Sequence, residues 1–204
     1  GATTGTWSVT PSNGGTFGNV NNLQTTFTPS ISSGSLWLYL TSANPLGPCG
    51  SVKDSVLITI NPIAIVNAGL NQQHCLKPNN PLNISGTITG GASTGTWTTL
   101  GDGAFINASS LSTVYIPGSQ DSSAVSVQLV LISSDPLGPC FSEKDTMQVV
   151  FFVNPIVNAG NDASICSDST LNISGTISGG ATTGTWSVTP SNGGTFGNVN
   201  NLQT

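Results

Sequence analysis

Residues 1–25, GATTGTWSVTPSNGGTFGNVNNLQT, recur letter for letter as residues 180–204, an offset of 179 residues. Identity over 25 positions does not arise by chance, so whatever fold the chain adopts must be able to repeat. A looser copy lies between: GATTGTW at 1–7 becomes GASTGTW at 91–97 and GATTGTW again at 180–186. Trp7, Trp97 and Trp186 are therefore spaced by 90 and 89 residues. The unit is a module of roughly 90 residues, within the usual size range of a domain, and two unlike modules make one 179-residue super-repeat. Both ends of the chain share one phase of the repeat. That predicts that these 204 residues are a stretch of a longer tandem array.

Composition narrows what such modules can do. Charged residues are 5% of the chain, against about a quarter in typical globular domains. There is no arginine, and the only lysines are Lys53, Lys77 and Lys144, for a net charge of −5. Hydrophobic residues make up 36%, so the chain can bury a core, and it lacks the high charge of a disordered segment. Nucleic acid is excluded as a partner because phosphate binding needs clustered cations. Insertion into a membrane is also not expected, since no apolar run approaches the ~20 residues of a spanning helix. The longest such run, 149–153 (VVFFV), reads as a buried strand.

Periodicity points to strands throughout. Residues 81–89 (PLNISGTIT) alternate, with Leu82, Ile84 and Ile88 on one face, and Gly90-Gly91 breaks the run. Residues 96–98 and 112–117 predict two further strands, separated by turn chemistry at 100–103 (LGDG). Residues 124–132 (AVSVQLVLI) give the strongest signal, with Val125, Val127, Leu129 and Leu131 on one face. Residues 146–153 close the module, and Asn154-Pro155 ends pairing because proline offers no N–H. No segment carries an apolar helical stripe with caps. The expectation is an all-β chain of tandem Ig-like β-sandwich domains, each of roughly 90 residues and arranged end to end. Its domains are the C-terminal part of one repeat at 1–63, a complete repeat at 64–154, and the N-terminal part of the next at 155–204. The proline-bearing linkers 61–66 and 154–157 are too short for flexible tethers.

Four cysteines fall two per module. Cys49 matches Cys140 and Cys75 matches Cys166, each 91 residues apart. Paired cysteines in a Ser/Thr/Asn-rich β-module suggest an oxidising compartment. No C-x-x-C or clustered His suggests zinc. Within the complete repeat Cys75 lies near the first strand and Cys140 just before the last, which predicts a structural disulfide Cys75–Cys140. Cys166 and Cys49 then carry the equivalent bond across copies. Closing such a 65-residue loop would stabilise by about 4 kcal/mol in the chain-entropy account. The rival pairing joins Cys49 to Cys75 across the linker.

The run VNAGNDASIC, followed by LNISGTISGGATTGTW, DPLGPC and KDTMQVV…NP, resembles the Ig-like, PKD-like tandem repeats of giant surface proteins in Bacteroidota. Those proteins include gliding-motility adhesins and grappling-hook-like extracellular filaments. The resemblance covers the whole chain and implies export by the type IX route. It also implies O-glycan acceptors at Asp54-Ser55, Asp145-Thr146 and Asp168-Ser169. Two departures stand out: His74-Cys75-Leu76-Lys77 replaces small residues, and Leu70 stands where the next copy has Asp162.

Candidate chemistry is sparse. His74 has no match in the sister repeat and reads as a surface residue. Asp102, Asp121 and Asp135 fall in predicted loops where an oxygen-rich cation site could form, but no D-x-D-x-D run supports one. Glu143, Lys144 and Asp145 read as a solvated turn, and Trp37, whose sister residue is Gln128, reads as core. No nucleophile–base pair or phosphate loop is present, so no enzyme activity and no cofactor are expected. The function expected is a load-bearing spacer: the shaft of a secreted extracellular filament or surface adhesin. Its partners would be copies of itself and the surface of another cell. The alternative is a binding module recognising glycans or a protein through loops 101–108 or 135–140.

Overall fold

A computed structural model describes residues 2–77, 80–136 and 138–204. In chain order the elements are β1 (Gly5–Thr10), β2 (Gly15–Phe17), β3 (Phe27–Pro29), β4 (Gly34–Ser42), β5 (Lys53–Ile60), β6 (Ala64–Asn67), β7 (Gln72–Leu76) and β8 (Leu82–Ser85). There follow β9 (Thr87–Gly90), β10 (Gly95–Thr99), β11 (Ala104–Phe105), β12 (Ser112–Ile116), α1 (Ser119–Ser123), β13 (Ser126–Ser133), β14 (Lys144–Val153), β15 (Ile156–Asn158) and β16 (Thr176–Ser178). The chain is all-β apart from the five-residue α1. It divides into two compact units. One comprises Gly1–Asn67, Gly86–Thr96 and Leu131–Asp145; the other comprises Ala68–Ser85, Trp97–Val130 and Thr146–Thr204.

In the first unit β4 is the centre of an antiparallel sheet, flanked by β1 and β5. Period-two alternation in GSLWLYLTS buries Leu36 and Leu38 and turns Trp37 outward. A β2–β3 hairpin and an antiparallel pair of β6 with β9 complete it. The Gly90-Gly91 break is a true turn. Gly90 has φ +79°, the left-handed region that glycine enters without a Cβ penalty, and Gly91 N donates to the Ile63 carbonyl at 2.8 Å.

The second unit holds β7 and most of β10, β13 and β14, strands of a four-stranded sheet in the order β10-β13-β14-β7, with β7 parallel to β14. A three-stranded sheet, β11-β12-β8, faces it. The buried residues are the alternating ones: Val127 and Leu129 on β13, Met147, Val149 and Phe151 on β14, Leu82 and Ile84 on β8, Tyr115 on β12. Rings bridge the layers. Trp97 stacks on Phe105 at 6.2 Å between centroids, Phe105 tilts onto Tyr115 at 5.0 Å, and the Tyr115 hydroxyl meets Thr99 Oγ1 at 2.9 Å. These cross-layer contacts make the unit a sandwich.

The structure revises one strand. Residues 124–125 do not extend β13. Ala124 N closes α1 on the Gln120 carbonyl at 2.9 Å, and Val125 is exposed, its carbonyl accepting from Phe151 N at 3.0 Å. The helix escaped the sequence reading because SQDSS carries no apolar stripe; side-chain carboxylates hold it instead.

The tandem repeat has a local structural meaning. In each of its three copies the Trp indole N–H reaches a loop carbonyl: Trp7 to Asn22 at 3.2 Å, Trp97 to Leu111 at 3.3 Å, Trp186 to Asn201 at 3.0 Å. The Trp backbone N–H ties the same loop at Val20, Ala108 and Val199. An Asn opens the loop and a Thr hydroxyl closes it, Asn19 N to Thr25, Asn107 N to Thr113 and Asn198 N to Thr204. A Phe stacks on the indole each time, at 5.9, 6.2 and 6.1 Å. The tether forms with or without a flanking sheet. Residues 5–10 are strand β1 because β4 supplies a ladder, whereas the identical residues 184–189 have no such partner among the described residues and form no strand. Trp97 is 1% exposed. Trp97→Ala is expected to cost about 3–5 kcal/mol, read as a lowered midpoint in urea denaturation with the slope unchanged.

Candidate functional site

The densest polar cluster is a clasp in the second unit, built from the loop before β11 and the N-terminus of α1. Asp121, buried at 3% exposure, accepts from the backbone N–H of Asp102, Gly103 and Gly118 at 3.2, 3.0 and 3.2 Å and from the Tyr115 hydroxyl. Asp102 answers by accepting from the N–H of Asp121 and Gln120, each at 3.0 Å, and from the Ser119 hydroxyl. Each carboxylate thus receives the other residue's amide. A Cβ on Gly118 would collide with the Asp102 carboxylate, so glycine is required at that approach. The Gln120 and Asp121 amides hold the Asp102 carboxyl below the usual range, because they stabilise its charged form. Burial, and then the hydrogen bond to Asp121, push Tyr115 up to about 12.

The clasp brings together two of the three loop aspartates singled out in the sequence. Asp135 lies in the first unit, after β13. The carboxylate lone pairs are spent on amides and hydroxyls, so the arrangement locks loops. Among the described residues no group of three or more His, Cys, Asp or Glu is placed to hold a metal ion. An open cleft of about 570 Å³ borders the clasp, lined by Leu100, Gln120, Gln128 and Gln148 among others.

His74 is buried at 9% exposure, edge-on to Phe151 at 6.2 Å, which corrects its reading as a surface residue. It lies on the edge strand β7, at an inward-facing position that sequence could not locate because QQHCL is short and barely apolar. Burial lowers its pKa, partly opposed by a hydrogen bond that the imidazole donates to the Asn80 backbone. Trp37 is also corrected. It is 43% exposed, stacked on Tyr39 at 6.5 Å, with Leu57 opposite it in register and Lys53 Nζ lying 3.6 Å over the Tyr39 ring. Among the loop aromatics, Phe105 is committed to the core stack and Phe141 is 81% exposed. Ser55, Thr146 and Ser169 of the Asp-Ser/Thr pairs are all exposed.

All four cysteines are thiols. Cys140 Sγ donates to the Asn61 carbonyl at 3.5 Å, and Cys75 Sγ lies 4.0 Å from Asn154 Oδ1. Register aligns Cys75 with Phe152 near the end of β14, while Cys140 precedes Lys144, where β14 starts. Leu137, inside the loop 135–140, falls outside the described residues. At both linkers a Gly-Gly pair accepts close approach by the incoming chain: a Cβ on Gly91 would collide with the Pro62 carbonyl, and one on Gly180 with that of Val153.

No known protein family and no curated protein matches the chain. Solved structures that are similar include mouse Cadherin-23 EC22-24, at 13% identity and a TM-score of 0.38, covering 74% of this chain and 54% of that one. Another comprises extracellular cadherin domains 3-6 of Protocadherin Gamma B2, at 12% and 0.31, covering 76% and 43%. A third is the Protocadherin gammaB7 EC3-6 cis-dimer structure, at 14% and 0.30, covering 85% and 52%. The chain spans about half the length of each.

Two pH effects follow. Tyr115 stays protonated to about pH 12 when folded but ionises near 10 when unfolded. Its contribution is therefore complete below pH 10 and is lost as pH rises toward 12; Tyr115→Phe should remove that alkaline slope from the denaturation midpoint. His74, with its folded pKa lowered, contributes stability that is complete above the unfolded value of about 6.5 and is lost as pH falls through the folded value. His74→Phe should flatten that acid limb.

Proposed function

We propose that the chain is part of a tandem array that forms the shaft of a secreted extracellular filament or surface adhesin, with repeats at 1–63, 64–154 and 155–204. The observation that carries this is the indole tether, reproduced in three phases with a loop carbonyl as its acceptor each time. A fixed module copied at a fixed interval is a means of spanning distance. The close Gly-Gly approach at both linkers and the nearly uncharged surface support a rod that can also pack beside its own copies, since little charge repulsion opposes it. The resemblance to Bacteroidota surface repeats supports the same reading and adds type IX export. The exposed Trp37–Tyr39–Leu57 face is the surface through which copies would associate laterally. No described helix is long and apolar enough to cross a membrane.

The test of the array is the reduced, denatured mass of the native polypeptide. Hundreds of kilodaltons are expected, and a mass near 20.6 kDa would overturn it. For lateral association, Trp37→Gln installs the residue that the sister repeat already carries at Gln128. Light scattering should show the assembly reduced toward single chains, with thermal stability retained. The second reading, a binding module, rests on exposed Phe141 beside the loop 135–140; a glycan array without hits would remove its glycan form.

A further inference from the structure

The cysteines are the one set of reactive side chains that no role above employs. Across the linker, residues 53–75 align without a gap on 144–166, an offset of 91: Lys53 on Lys144, Ile60 on Phe151, Asn61 on Phe152, Val66 on Val157. β5 and β14 are thus the same last strand of two successive repeats, and each runs into a linker. At the end of β5, the thiol of Cys140, which belongs to the repeat downstream of that linker, touches the Asn61 carbonyl at 3.5 Å. At the end of β14 the view is complementary. Cys75, which belongs to the repeat upstream of that linker, is aligned with Phe152, the equivalent of Asn61.

Backbone direction sharpens the match. Phe151 N donates to Val125 beside β13, and successive residues of a strand turn their polar groups to opposite edges. The Phe152 carbonyl therefore faces β7, where Cys75 sits. Superposing the two linkers brings to one strand position the backbone of the first cysteine of the upstream repeat, on the neighbouring strand, and the thiol of the DPLGPC cysteine of the downstream repeat, from its loop. A disulfide between them needs Cα atoms ~4.4–6.8 Å apart, a separation in keeping with residues that share one strand end.

We propose that each linker of the array is stapled by a disulfide between the first cysteine of one repeat and the second cysteine of the next. This rests on the tandem-array reading. Cys75 pairs with the Cys49-type residue of the repeat that follows its own, and Cys140 pairs with the Cys166-type residue of the repeat before its own. Each bond forms as two thiols lose two protons and two electrons to a protein or small-molecule disulfide, which is reduced to its thiols. The pairing differs from a bond within one repeat and from Cys49–Cys75.

Stapling in this way leaves little slack. Along the shortest covalent path, the chain free to extend in each 179-residue period is the 26 residues from Cys140 to Cys166, roughly 90 Å when extended. Pairing within repeats leaves two such segments, 52 residues per period; Cys49–Cys75 pairing leaves 127; no disulfide leaves 179. The experiment is single-molecule pulling of the native polypeptide, isolated with thiols blocked, before and after reduction. Peptide mapping without reduction runs in parallel. The expected result is a contour length that rises about seven-fold on reduction, with Cys75-type peptides linked to Cys49-type and Cys166-type to Cys140-type. A rise of about 3.4-fold with Cys75 linked to Cys140, a rise of about 1.4-fold, or no rise overturns the staple. A reduced mass near 20.6 kDa overturns the array itself, so the two failures are separable.

Discussion

The hydrogen bond from an indole N–H to a loop carbonyl is the contact on which each module depends. It satisfies the one polar atom of a side chain that is otherwise committed to the core, and it fixes a long loop over that core at the same stroke. The loop then has its own amides satisfied by Asn and Thr side chains. A loop of that kind needs neither charge nor helix to be rigid. A chain with 5% charged residues thus leaves no buried side-chain nitrogen or oxygen without a partner among the described residues.

The tether also explains what was legible in the sequence. Exact copies and a period-two apolar pattern belong to the backbone and the core, so the strands around Leu82, Val127 and Met147 could be read directly. Features that depend on which residues meet across space could not. Asp102 and Asp121 are 19 residues apart, and nothing local marks them as reciprocal partners. The five-residue helix they hold has no apolar stripe. Parallel pairing of β7 with β14 carried His74 into the core and set Cys75 beside Phe152.

The linkers show a second economy. A strand that ends in Asn-Pro cannot continue its ladder, so the chain is released at a defined point. The Gly-Gly turn of the next module then accepts its carbonyls at distances that any side chain would forbid. Proline and glycine act together here: one ends pairing, the other removes the steric bar to close docking. A longer or more polar linker would lose both effects and gain conformational freedom.

The two kinds of module differ where difference matters. In one, Phe27 occupies the place that Tyr115 takes in the other, so the carboxylate clasp is confined to the second kind. Conversely, the outward aromatic stripe of Trp37 and Tyr39 is replaced by Gln128 and Val130 in its sister. In the proposed array, then, one module type devotes its polar residues to locking its own loops, and the other presents an adhesive face once every 179 residues. Chains lying side by side through such a face could shift past one another only in steps of that full period. A smaller slip would set aromatic stripe against glutamine, forfeiting apolar burial worth about 25 cal/mol per Å² at every repeat. Alternation of two modules thereby sets axial register more coarsely, and more firmly, than a uniform repeat of 90 residues would.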